Sequence, residues 1–174
     1  MGNYVLDINP ADVMLSTTTQ RALLGTKART PDGRLWRYCL NGATAMVAGN
    51  LYQSIAPIAA HSNIACDVAR AIGATAVSAT MGATAAAIDI YAEGFVHFTD
   101  VAPEGHRYPI RSVWQGKAGD AHLAAAVSAV ITVNLWPGAS LLVAATTASE
   151  LSLRRNRYHS VIIHGSPQTA MLAG

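Results

Sequence analysis

Residues 127–135 read VSAVITVNL and run into Trp136-Pro137-Gly138. Val127, Ala129, Ile131, Val133 and Leu135 alternate with Ser128, Val130, Thr132 and Asn134. A period of two belongs to a β-strand, because successive side chains leave a strand on opposite sides. The β-branched residues in the run suit a pleated, half-buried surface. Pro-Gly then supplies a turn, since Pro presets φ and Gly accepts a positive φ. The spacing therefore predicts a strand that turns Val127, Ala129, Ile131, Val133 and Leu135 toward a core.

The pattern recurs on both sides. In 74–81 (ATAVSATM), Thr75, Val77, Ala79 and Met81 alternate with smaller residues, and Gly82 ends the run. Residues 94–100 (GFVHFTD) alternate and reach a turn at Pro103-Glu104-Gly105. Residues 107–114 (RYPIRSVW) then read as the second arm of a hairpin. Pro109 lacks a ladder donor, which predicts an edge or a bulge there. Residues 34–40 (RLWRYCL) lie between Pro31-Asp32-Gly33 and Asn41-Gly42. That segment predicts a buried face of Trp36, Tyr38 and Leu40, with Arg37 outward. Short strands are also predicted at 87–91, 141–143, 150–154 and 158–164. Residues 43–49 have helical propensity but are short and closed by Gly49-Asn50. Residues 61–72 stay open between helix and extended chain: Ile64, Val68 and Ile72 are spaced by four, yet all are β-branched and Gly73 follows.

Roughly eight to ten short strands punctuated by Gly and Pro predict an all-β fold, a compact β-sandwich or β-barrel. Long helices alternating with strands are absent, which argues against a parallel α/β sheet. The predicted β domain is 31–174. Residues 1–30 lack a clean period. They hold Pro10, the run Ser16-Thr17-Thr18-Thr19 and isolated apolar residues, and read as a short helix around 11–15 followed by an extended segment, either an N-terminal arm that lies on something else or an ordinary edge segment of the domain.

Of the 174 residues, 51% are hydrophobic, much of that alanine, while 13% are charged and 6% aromatic. So low a charge leaves a neutral surface, which is a solubility risk for a free monomer and suits a subunit covered by others. The net charge is +2. Arg154, Arg155 and Arg157 are too few for a nucleic-acid footprint and read as a solvated turn. Residues 1–14 show no signal peptide, and no apolar run reaches membrane-spanning length, so synthesis in a cytoplasm and no membrane partner are expected.

No motif carries chemistry. There is no phosphate-binding glycine loop and no nucleophile elbow, and the acids are dispersed. His159 and His164, five apart on a strand, face opposite ways and predict no shared metal. His97 and His106 flank one hairpin and read as a surface pair, while His61 and His122 stand alone. Cys39 reads as a small buried hydrophobe, and its pairing with Cys66 is open. The expectation is a non-enzymatic chain with no catalytic residue, cofactor or metal.

Several stretches taken together resemble small virion proteins of tailed double-stranded DNA phages. They are Leu24-Gly25-Thr26, then Asp32-Gly33-Arg34-Leu35-Trp36-Arg37-Tyr38, and Ala48-Gly49-Asn50-Leu51-Tyr52-Gln53. Next come 73–84 (GATAVSATMGAT), Tyr91-Ala92-Glu93-Gly94-Phe95 and 104–110 (EGHRYPI). Last come 146–153 (TTASELSL), Asn156, Tyr158 and Val161-Ile162-Ile163. The resemblance covers roughly residues 24–163, and its weight lies in order and spacing. It implies a capsid decoration protein, also called a cement or head-stabilising protein. Such proteins sit on the outer capsid surface, bind the major capsid protein, often as homotrimers, and have no catalytic residues. The chain departs from the pattern in stopping soon after 161–163, where a longer tail is expected, and in having Pro109 where a strand residue such as Lys is usual.

On this reading the arm residues Tyr4, Leu6, Leu15, Leu23 and Leu24 are candidate capsid contacts. Two other functions remain open. A tail, fibre or adhesin module would bind a host-surface glycan. A hydrolase of cell walls or polysaccharide would need converging acids or a metal. Trp36, Trp114 and Trp136 could form a sugar platform, but their strand and turn positions point to core packing.

Overall fold

A computed structural model describes residues 5–111 and 125–164. Among them the strands are β1 (Val5–Asp7), β2 (Lys27–Arg29), β3 (Leu35–Arg37), β4 (Tyr52–Gln53), β5 (Ile64–Ala65), β6 (Ala76–Thr80), β7 (Phe95–Asp100), β8 (Arg107–Pro109), β9 (Val130–Asn134), β10 (Glu150–Arg154) and β11 (Ile162–Ile163). The helical elements among the described residues are two 3-10 turns, Pro10–Asp12 and Ala59–His61. The fold is all-β, as the alternation predicts, and the strands form several small sheets rather than a barrel. The chain divides into one unit of Met1–Ala56 with Arg157–Gly174 and a second of Pro57–Asn156.

The second unit holds an antiparallel sheet in the order β5-β10-β7-β8 and a two-stranded sheet of β6 and β9. The predicted hairpin is β7–β8. The alternation of β7 places Val96 and Phe98 inward, opposite Leu153 and Leu151 of β10, and all four are fully buried. Pro109 lies on the edge strand, opposite Phe95. Ile110 N–H donates to Gly94 and Phe98 N–H to His106, so the hydrogen-bonded positions flank Pro109 and its missing donor is not needed. In the second sheet Val77 faces Val133 and Ala79 faces Ile131, again all buried. Single-residue bridges at Ile110↔Leu135 and Cys66↔Ala79 tie the two sheets together around one apolar core.

Three readings of this unit are corrected. Strand β9 starts at Val130, because Ser128 takes a positive φ of 58° and turns the chain first. Val127 is therefore exposed, not inward. Residues 87–91 form no strand. Asp89 and Glu93 have positive φ, and Ile90, Ala92 and Gly94 N–H each donate to the carbonyl three residues earlier, which spends the donors within turns. Leu141 is buried and bonds with Ala74 without a strand at 141–143.

Residues 61–72 form no α-helix: His61 ends a 3-10 turn, Asn63 has φ 52°, β5 pairs with β10, and Arg70 bridges Ala145. Gly94 is required by close approach, since a Cβ there would lie 2.1 Å from the Arg154 carbonyl oxygen.

In the first unit, β1 runs parallel to β2, and β2 antiparallel to β3. Residues expected as the arm thus supply two strands of a sheet, and the short helix expected at 11–15 is the single turn Pro10–Asp12, capped by the Asn9 side chain. β4 pairs with β11. The predicted buried face of 34–40 is corrected: Trp36 and Tyr38 are half-buried and Leu40 is exposed. The strand stops at Arg37, after which Leu40 bonds through its N–H to Tyr158 and through its carbonyl to Val161. Residues 43–49 form turns rather than a helix, and in place of a strand over 158–164 only β11 forms.

Leu151→Ala should destabilise the second unit by about 2–5 kcal/mol, because it opens a cavity in a closed core. Leu142→Ala, at a side chain 68% exposed, should stay within about 0.5 kcal/mol. Urea unfolding of both variants checks the contrast.

Candidate functional site

Residues paired across a ladder share a face of the sheet. On one face of β1-β2-β3 lie Leu6, Ala28 and Trp36; Ala28 is buried and the other two half-buried. The opposite face carries the rows Val5–Lys27–Arg37 and Asp7–Arg29–Leu35. Leu35 is 71% exposed there.

The described candidate contacts differ in exposure. Tyr4 lies outside the described residues. Leu6 sits in the inner row of β1. Leu15 is 58% exposed, next to Met14 at 70%. Leu23 is half-buried, and its carbonyl accepts both the N–H and the hydroxyl of Thr26. Leu24, expected to be exposed, is buried, because that tight turn folds it into the unit. Met14 was missed because nothing periodic marks it. Trp36 and Trp136 are half-buried, and Trp114 lies outside the described residues.

A shallow depression of ≈ 350 Å³ is lined by Asp7, Arg29, Thr30, Pro31 and Gly33. Asp7 and Arg29 pair across it at 3.3 Å. Beside it, Asp32 accepts from Arg34 Nε at 2.6 Å and from the Thr30 hydroxyl at 2.5 Å. The Arg34 guanidinium, then the Thr30 hydroxyl, hold the Asp32 carboxyl down at about 2. Arg34 also lies over the Trp36 ring at 5.5 Å. These carboxylates serve ion pairs.

In the second unit His61 is fully buried. Its Nε2 lies 2.8 Å from the Thr84 carbonyl oxygen, so Nε2 carries the proton and Nδ1 accepts from the Tyr91 hydroxyl. Burial pushes the Tyr91 hydroxyl up to about 12. Read as standing alone in the sequence, His61 is half of a buried polar pin. His97 lies opposite Arg107 and so faces away from His106 across the alternating hairpin; His106 stacks on Tyr108 at 18°. Neither His159 nor His164 lies on a strand, and His122 lies outside the described residues. Among the described residues no group of three His, Cys, Asp or Glu could hold a metal ion, and no helix is long and apolar enough to cross a membrane.

Cys39 and Cys66 are free thiols. Cys66 is buried, whereas Cys39, expected to be buried, is half-exposed because the chain leaves β3 before it. Burial pushes both thiols up, Cys66 to about 11, which disfavours the thiolate that a nucleophile needs. Comparison with protein-family models, with curated proteins and with solved structures gave no match.

Tyr91→Phe should cost about 1–3 kcal/mol by leaving His61 Nδ1 buried without its donor, read by chemical unfolding. The Asp32 carboxyl should titrate near 2 by carbon-detected NMR, and Arg34→Gln should move it up toward the ordinary 3.8. With the folded value lowered, the stabilisation is present above 3.8 and fades as pH falls toward 2. A thiol reagent should modify Cys39 in the native protein and Cys66 only after unfolding; equal native rates would contradict the burial of Cys66.

Proposed function

We propose that the chain is a structural virion protein that binds the outer surface of a tailed-phage capsid and braces the expanded shell by bridging major capsid protein subunits. The ordered resemblance over residues 24–163 carries this reading, and the all-β fold agrees with it. The surface supports association as well. Leu35, Ile72 and Leu142 are 71%, 68% and 68% exposed. Residues 38–66 and 121–149 contain no Asp, Glu, Lys or Arg. Apolar side chains on such a surface are covered when a subunit seats on a lattice.

The mechanism is linkage. A protein whose site exists only where neighbouring subunits meet in the expanded shell stabilises that state by mass action. Joining copies, as in a trimer, makes later contacts intramolecular and raises avidity without new chemistry. Among the candidate contacts Leu15, with Met14, is presented to solvent and is the first to test. Binding performs the whole task, so this reading invokes no catalysis, cofactor or nucleic acid.

The test is co-sedimentation of the purified chain with empty heads that lack it, before and after expansion. Saturable binding to expanded heads alone, with raised heat resistance, is expected. Leu15→Asp should weaken it by roughly tenfold or more, as for a buried interface residue. Absence of binding to either form removes the reading, and binding to host-surface glycan would then favour a tail or adhesin module.

A further inference from the structure

The outward face of β1-β2-β3 is cationic, and its charge is unevenly compensated. On this face Arg29 has Asp7, while Arg34, which lies over the Trp36 ring rather than on this face, has Asp32. Arg37 has no carboxylate within 4 Å among the described residues, and neither has Arg157. Their contacts are of another kind. Arg37 Nη1 donates to the Gly25 carbonyl at 3.0 Å, and its guanidinium lies 6.0 Å from the Tyr158 ring centre. The Arg157 guanidinium lies 5.2 Å from the same centre.

One nearly buried ring therefore gathers two exposed guanidinium groups from distant parts of the chain. Gly25 makes the arrangement possible, since a Cβ there would lie 2.7 Å from the Tyr158 ring. In the ladder Arg37 is also directly opposite Lys27.

We propose that the surface around Arg37 and Arg157, the two arginines gathered on Tyr158, is a docking site for a carboxylate-rich protein surface. A guanidinium offers five N–H donors in a planar fork that matches a carboxylate, and here one of Arg37's donors is spent on Gly25. Holding the groups against Tyr158 lowers the entropy lost on binding. Protein is favoured over nucleic acid by the neighbouring side chains. Leu35 and Val5 share the face, and a mix of Arg with exposed aliphatic surface is typical of protein interfaces. A few cations without a stacking aromatic make a poor phosphate track; Trp36 is on the opposite face and Tyr158 is buried. The site stands apart from the capsid reading and is tested without capsids.

The full chain is titrated with fluorescently labelled poly-L-glutamate, and separately with single-stranded DNA of equal charge. Saturable binding of polyglutamate that weakens with added salt is expected. Arg37→Gln and Arg157→Gln should each weaken it about threefold or more, and both together by roughly tenfold or more. Arg107→Gln, the same charge change in the other unit, should leave it unchanged. Arg157 makes no backbone hydrogen bond through its side chain among the described residues, so its variant separates lost binding from lost folding, checked by circular dichroism. No polyglutamate binding, equal loss in Arg107→Gln, or DNA bound as tightly through the same two arginines would overturn the proposal.

Discussion

Strand β10 is buried on both faces, and the second unit is arranged around satisfying it. Leu151 and Leu153 point one way, onto Phe98 and Val96 of β7. Ser152 points the other way and is equally inaccessible, which would strand a hydroxyl without a partner. Asn63 supplies it: its N–H donates to Ser152 Oγ at 3.1 Å. Asn63 takes a positive φ to do so, which is tolerable for Asn. The conformation that rules out a helix over 61–72 is the one that covers the central strand. Ser149 repeats the pattern just before the strand, accepting from Thr146 N–H and donating to the Ala102 carbonyl.

Small residues do the rest of the close work. At Gly94 the chain passes so near the Arg154 carbonyl that no side chain fits, and at Gly82 a Cβ would meet the Ala60 carbonyl oxygen at 2.3 Å. The turn Ala59–His61 is thereby pressed against the end of β6, and His61 reaches Tyr91 and Thr84 in the interior. An alanine-rich chain with few large side chains fills its core this way: backbones approach closely, and one buried histidine–tyrosine pair bridges where an apolar contact would leave polar atoms bare.

Legibility in the sequence followed burial. Strands β6, β7 and β10 were readable because their alternation or apolar run is enforced by a core, and the β7–β8 hairpin because its turn is marked by Pro and Gly. The failures are local. Residues 87–91 are as apolar as a strand but are folded into turns by Asp89 and Glu93 at positive φ, which alternation does not encode. Ser128 does the same to the start of β9. Residues 34–40 alternate well, yet lie in a unit whose thin core leaves Leu35 and Leu40 open to water, so pattern and burial part company. The arm lacked a period because β1 and β2 are three residues each, too short to show one. Of the candidate contacts, exposure depends on turns such as Leu23–Thr26 that residue type alone does not reveal.

Charge is used in two distinct ways on this chain. Asp7 in the first unit's sheet is closed into a pair with Arg29, and Asp32 in the turn before β3 into a pair with Arg34. Exposed pairs of that kind add little stability, because solvent screens them and ordering two side chains costs entropy. Their consequence is on the potential outside: each cancels a charge that would otherwise be felt by a partner. Arg37 and Arg157 escape the cancellation, held on Tyr158 by ring contacts that leave the positive charge intact. In a sequence with only 13% charged residues, two guanidinium groups gathered on one ring form a local concentration of positive charge. On the docking proposal, attraction at these two arginines would orient an encounter, and apolar surface would contribute once contact is made.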